Sequence, residues 1–160
     1  MRKLVLILFA ISTLACSKKD EPIQSDIIDT SMEFSIFNSD NEDMLDTVTV
    51  NHIDESEIKL FYEVNGEINT VYYVGSDYPK GFKIYRHENE YRIKISMNSD
   101  ESSEKTITYI QWSENDSDTL EAIFERPGNS ILKRYVWLND LEVWNWTLND
   151  DGYYKIIKEN

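Results

Sequence analysis

Glu57-Ile58-Lys59-Leu60-Phe61-Tyr62-Glu63-Val64-Asn65-Gly66-Glu67-Ile68-Asn69-Thr70-Val71-Tyr72-Tyr73-Val74 is the stretch that decides the fold class. Two runs rich in β-branched and aromatic residues flank Asn65-Gly66, the dipeptide that suits a two-residue type I′ turn because both positions need φ > 0. In that register Ile58, Leu60, Tyr62 and Val64 share one face with Val71 and Tyr73, which makes it a core face with period two. An alternation of this kind describes a half-buried strand, not a helix.

Outward from this hairpin the pattern repeats. After the loop Gly75–Gly81, Phe82–Glu88 and Tyr91–Met97 form a second hairpin turning at Asn89-Glu90. Phe82, Ile84, Ile93, Ile95 and Met97 line one side of it. The other side carries Lys83, Tyr85, His87, Arg92 and Lys94, a basic face in an acidic chain. Lys105–Trp112 and Thr119–Arg126 follow, joined by the acidic turn Ser113–Asp118. Ile131–Leu138 and Leu141–Trp146 turn at Asn139-Asp140, and Tyr153–Lys158 closes the chain. Upstream, Met32–Phe37 is the first strand, and Thr47–Val50 is a short edge piece. Glycines and prolines fall mostly between the runs, as turn chemistry requires. About nine short strands with no sustained helical period predict an all-β fold, a single antiparallel β-sandwich of immunoglobulin-like type over residues 32–160.

The amino terminus reads differently. Arg2 and Lys3 precede the apolar run Leu4–Leu14, and Ala15-Cys16 closes it. This is the layout of a secretory signal, and ten or so apolar residues at ~1.5 Å each fall well short of a ~30 Å hydrocarbon core. Cys16 is the only cysteine of the chain, and its position after a small residue predicts lipidation there, with cleavage of residues 1–15. Thr13-Leu14-Ala15 also suits ordinary signal cleavage, which would leave a free thiol. A diacylglycerol thioether plus an acylated amino terminus supplies the two or more chains that stable anchoring needs. Residues 16–31, polar and acidic with one proline, read as a flexible tether.

The whole chain has 30 acidic and 16 basic residues, a net charge of −14. Loss of Arg2 and Lys3 with the signal leaves fourteen basic residues against the same acids, a net of −16. Such a balance repels nucleic acid phosphates and fits a soluble surface or a cationic partner. With Cys16 lipidated, neither disulfides nor thiolate metal sites are available.

Four constellations are candidates for chemistry. The last hairpin presents Tyr135, Trp137, Trp144 and Trp146 on one side, a candidate stacking platform for a glycan, since flat rings with polar edges suit sugars; the same rings also suit a core. Lys83, His87, Arg92 and Lys94 are a candidate anion face, or alternatively partners for Glu and Asp on neighbouring strands. Asp40, Glu42, Asp43 and Asp46 around one turn, with Asp116 and Asp118 in another, are weak calcium candidates; they lack the glycine and distal glutamate of an EF-hand loop. His52 and His87 fall in different elements, and no nucleophile, zinc-protease or phosphate-loop motif occurs. Acids are too many for one hydrolytic carboxylate pair to stand out. The expectation is a non-enzymatic protein with no cofactor.

Three short features add location. Cys16 with its preceding residues resembles the lipobox of bacterial lipoproteins, although Thr13 stands where leucine is usual. Lys19-Asp20-Glu21 resembles the export signal of Bacteroidota lipoproteins, which implies the outer membrane with the domain facing the cell exterior. Asp46-Thr47-Val48 and Asp118-Thr119-Leu120 resemble the O-glycosylation acceptor of exported Bacteroidota proteins. The domain itself resembles a group of small uncharacterised Bacteroidota lipoproteins. The likeness rests on Asp43-Met44-Leu45, Asn65-Gly66, Tyr78-Pro79-Lys80-Gly81-Phe82-Lys83-Ile84-Tyr85, Thr108-Tyr109-Ile110-Gln111-Trp112, Asp118-Thr119, Trp137-Leu138-Asn139 and Trp144. It implies a membrane-anchored, single β domain and supplies no activity. The expectation is therefore a cell-envelope binding or accessory module with a glycan or protein partner. The alternatives are an inhibitor or immunity-type lipoprotein that neutralises a cationic enzyme or toxin, and a carboxylate-dependent hydrolase.

Overall fold

The computed structural model describes residues 26–147 and 152–159; the signal, Cys16 and Lys19-Asp20-Glu21 lie outside the described residues. Eleven strands and no helix occur among the described residues. They are β1 (Ile28–Asp29), β2 (Ser31–Asn38), β3 (Lys59–Val64), β4 (Glu67–Thr70), β5 (Phe82–His87) and β6 (Glu90–Ser96). After them come β7 (Lys105–Ser113), β8 (Asp116–Glu125), β9 (Ile131–Leu138), β10 (Leu141–Asn145) and β11 (Tyr153–Lys158).

The strands form two sheets, as the alternation requires. A large seven-stranded sheet runs β1-β9-β8-β7-β3-β4 with β10 also on β9, and a small four-stranded sheet runs β11-β2-β6-β5. The inner faces meet in one core that includes Phe34, Ile36, Leu60, Ile93, Ile95, Ile110, Trp112 and Val136. Alternation is cleanest in β7, where Thr106, Thr108, Ile110 and Trp112 are buried and the residues between them are not. The Asn65-Gly66 turn forms as read: φ is 54° and 80°, and Val64 pairs with Glu67.

The structure corrects several expectations. The sandwich is not purely antiparallel: β1 runs parallel to β9, and β11 runs parallel to β2. Each is a short outer strand laid along an open stretch of a sheet edge, which blunts that edge. Hairpins and a β7-β8-β9-β10 meander supply the connections, and the larger sheet exceeds the three or four strands of an immunoglobulin constant sheet. The likeness to that fold stops at the sandwich. The stretch read as tether through residue 31 already contains β1 and the start of β2. Thr47–Val50 forms turns, with Val48 and Val50 exposed. β4 ends at Thr70, and beyond it Val71 still donates to Leu60 O before Tyr73 bonds instead to Pro79 O in the loop.

Candidate anion-binding face

Two of the three β-bulges among the described residues of the large sheet decide what becomes of the aromatic hairpin. Between β9 and β10 the register passes from Glu142↔Trp137 to Trp144↔Val136, so Val143 is the extra residue. One inserted residue moves the side chain that follows it to the opposite face. Trp144 therefore turns inward, 9% exposed, and its Nε1 has no hydrogen-bond partner. This corrects the four-ring platform: Tyr135 and Trp137 stay outside and stack at 5.7 Å, while Trp146 lies half exposed with the Arg134 guanidinium 4.5 Å from its ring centre. Lys105 closes over Trp137, its Nζ 4.4 Å from the ring.

The second bulge, at Arg134, lies between the pairs Ile123↔Tyr135 and Phe124↔Lys133. It carries Lys133 to the inner side, where only 6% of the residue is exposed. Its Nζ donates to Ser31 O at 2.7 Å, lies 3.6 Å from Asp29 Oδ1 and sits over the Trp144 ring at 4.5 Å. Burial pulls its pKa below the ordinary lysine value, with Asp29 opposing the shift. Neither bulge has a signature that alternation alone could show.

The basic residues fare better. β5 and β6 pair Lys83 with Lys94, Tyr85 with Arg92 and His87 with Glu90, all on the outer face of the small sheet. β2 adds Glu33 opposite Lys94, and by alternation Ser35 and Phe37. β11 adds Tyr153 beside Glu33 and Lys155 beside Ser35. Lys155 was not among the residues read from sequence, because nothing local shows that the last strand joins the first one.

Some of these charges are balanced, as the cross-strand alternative expects. Lys94 Nζ is 3.5 Å from Glu33 Oε1, and Arg92 Nε bonds Glu90 Oε1 at 2.7 Å. The turn falls at Glu88-Asn89, with φ of 52° at Glu88, and not at Asn89-Glu90. That one-residue difference puts Glu90 in β6 on the side of Arg92. Tyr85 Oη donates to Glu33 Oε2 at 2.5 Å; desolvation and this bond push the phenol up to about 12. Desolvation opposes the charge of Arg92, but Glu90 outweighs it and raises its pKa.

The remaining cations meet rings. Lys83 Nζ is 5.3 Å from the centres of both Tyr78 and Tyr85, Arg92 lies 3.6 Å over Tyr153, and Lys155 Nζ is 3.7 Å over Phe37. Three clefts open along this face. One of about 240 Å³ is bordered by Tyr78, Lys83 and Lys94, and one of about 340 Å³ by Phe37, His87, Arg92, Tyr153 and Lys155. A third, about 290 Å³, opens at Glu33, Lys94 and Lys133. A row of cations held on rings can hydrogen-bond an anion whose apolar part lies against the same rings.

The other candidates disperse. Asp43 accepts from Leu45 N at 2.9 Å and Tyr91 N at 2.6 Å, Glu42 from Asn38 Nδ2, and Asp46 from Val48 N. Asp116 and Asp118 both receive Lys158 Nζ, at 2.7 and 3.1 Å. Amides and a lysine thus bond Glu42, Asp43, Asp46, Asp116 and Asp118, and among the described residues no group of three or more His, Cys, Asp or Glu is placed to hold a metal. His52 and His87 border different clefts. Asp118 is instead a structural hub, accepting also from Trp112 Nε1 at 2.6 Å and Asn139 Nδ2 at 2.7 Å. These bonds outweigh desolvation and lower its pKa.

No family model, no curated protein and no solved structure matches the chain.

Proposed function

We propose that this chain is a non-enzymatic binding module of the cell envelope, anchored in the outer membrane through lipid on Cys16 and facing the exterior. In this reading it belongs with the small Bacteroidota lipoproteins it resembles, and the outer face of its small sheet carries the ligand. The observation that supports the reading most is the charge reversal on that face. In a chain of net charge −14, Lys83, Arg92, Lys94 and Lys155 lie together on one sheet among Tyr78, Tyr85, Tyr153 and Phe37. Lys83 and Lys94 stand directly opposite and repel one another, and such concentrated cations focus an anion from solution.

A hydrolytic role has less support. A general acid needs a carboxyl held above its ordinary pKa. Among the described residues every carboxyl with a resolved shift (Asp54, Asp100, Asp118) is lowered. The inhibitor reading draws on the net charge alone.

Two measurements test the proposal. A palmitate analogue fed to the host should label the wild-type chain and not Cys16→Ser; labelling of both or of neither removes the anchor. Full chain in detergent micelles should bind material from the host's extracellular fraction, and less of it after Lys83→Gln with Lys155→Gln. Undiminished capture by the double variant moves the site off this sheet.

A further inference from the structure

The cleft of about 340 Å³ at the β11 end of the small sheet has a more specific chemistry. Its wall is Arg92, whose Nε is taken by Glu90 while the guanidinium plane lies flat on Tyr153 at 3.6 Å. Among the described residues the two terminal nitrogens of Arg92 have no hydrogen-bond acceptor. A planar fork fixed by stacking is pre-organised for a planar, two-oxygen anion. Lys155 stands across from it, held by Asn41 Oδ1 at 2.9 Å and by the Phe37 ring.

The strand beneath this face holds an unpartnered polar group, although it does not line the cleft. Ser35 is 0% exposed and its Oγ has no hydrogen-bond partner. It lies on β2 between Glu33 and Phe37, pointing to the same side as both, next to Lys155 in register. A buried hydroxyl without a partner costs free energy that is recovered when an oxygen reaches it, directly or through a water.

Charge and shape then select the class of ligand. The cleft sets two cations, Arg92 and Lys155, among two carboxylates, Glu88 and Glu90, while Lys83 and Lys94 stand farther along the same sheet. That matches isolated single charges better than a polyanion, which the rest of the acidic surface repels. The rings between the cations, Tyr153, Tyr85 and Phe37, favour flat apolar faces between those charges. A nucleic acid or a phosphorylated segment carries too dense a charge; an acidic sugar carries one carboxylate per ring and a stackable face.

We infer that the Arg92–Tyr153–Lys155 cleft binds the carboxylate of a uronic acid residue within a glycan, with neighbouring sugars lying across Tyr85 toward Lys83. The inference rests on the binding-module reading and names its ligand class.

The test is calorimetric titration of the full chain in detergent micelles with trigalacturonate, its methyl ester and inorganic phosphate. Trigalacturonate is expected to bind, to weaken as salt is added, and to lose at least about tenfold in affinity in Arg92→Gln. Because Arg92 also packs on Tyr153, Lys155→Gln serves as the second variant; its side chain is exposed, so a loss of affinity there with an unchanged thermal melt reports the ligand and not the fold. Equal binding of the methyl ester, or phosphate binding as tightly as the trimer, overturns the uronate assignment while the binding module stands. If none of the three binds, the uronate assignment fails by itself. If the host's extracellular fraction also goes uncaptured, the broader reading fails with it.

Discussion

The outer faces of the two sheets carry similar residues and arrange them oppositely. On the large sheet two outer cations have an acid at contact distance: Lys105 Nζ meets Glu121 Oε2 at 2.6 Å, and Arg134 pairs with Glu125. Tyr109 Oη likewise donates to Glu63 Oε2 at 2.6 Å. Its outward rings, Tyr135 and Trp137, are stacked and covered by Lys105. On the small sheet Lys83 and Lys155 rest on rings, and Arg92 offers its plane to Tyr153. One face sets Lys105 and Arg134 directly against acids. The other keeps some in reserve, and that difference, not the number of aromatics, distinguishes a ligand surface from a covered one.

The comparison can be broken most sharply at Trp144 and Trp146, two positions apart on the last hairpin. With Trp144 buried by the bulge, Trp144→Ala should cost about 3–5 kcal/mol in chemical denaturation, whereas Trp146→Ala should cost less than about 1 kcal/mol. Similar costs at both would mean that burial does not separate them.

Next comes Asp118, which ties the large sheet to Lys158 of the small one. Asp118→Asn should lose about 2 kcal/mol at neutral pH, because a charge-assisted network is weakened around a largely buried group. The folded pKa lies below the ordinary 3.8. The contribution is therefore complete above the unfolded value and fades as pH falls through the folded one. Wild type and Asp118→Asn should converge in thermal midpoint below about pH 4. A constant gap down to the acid limit would show that the carboxylate's charge is not what stabilises the junction.

Smaller effects separate the two faces directly. Lys105→Gln, which strands Glu121, should cost up to about 1 kcal/mol, as exposed pairs do. Lys83→Gln with Lys155→Gln should change stability by less than about 0.5 kcal/mol, or raise it slightly by relieving repulsion between Lys83 and Lys94, while reducing capture of ligand. Stability loss on the small sheet equal to that on the large one would erase the distinction.

The fold class and the inner faces were legible because alternation is a local property. Leu60 and Val71, or Ile93 and Ile95, declare their side through neighbours two residues away. What alternation cannot carry is an extra residue. Val143 and Arg134 each interrupt the count, so Trp144 and Lys133 moved inward against their sequence parity. The site was half legible for a related reason. Lys83, His87, Arg92 and Lys94 lie on one hairpin and could be grouped from spacing. Lys155, Glu33 and Ser35 join them only through the parallel β2–β11 pairing and the β2–β6 ladder, contacts far apart in the chain. The acids near Asp43 were visible, but their bonds to the backbone amides of Leu45 and Tyr91 were not, because the second of these lies far along the chain.

The claim that the small sheet's outer face is the ligand surface is tested most directly by nuclear magnetic resonance of the isotopically labelled full chain in micelles, titrated with galacturonate. The account predicts saturable shifts at Ser35, Phe37, Arg92, Tyr153 and Lys155, with Lys105, Glu121 and Trp137 unmoved. Shifts centred on Tyr135, Trp137 and Trp146, or none on the small sheet at saturating ligand, would contradict it.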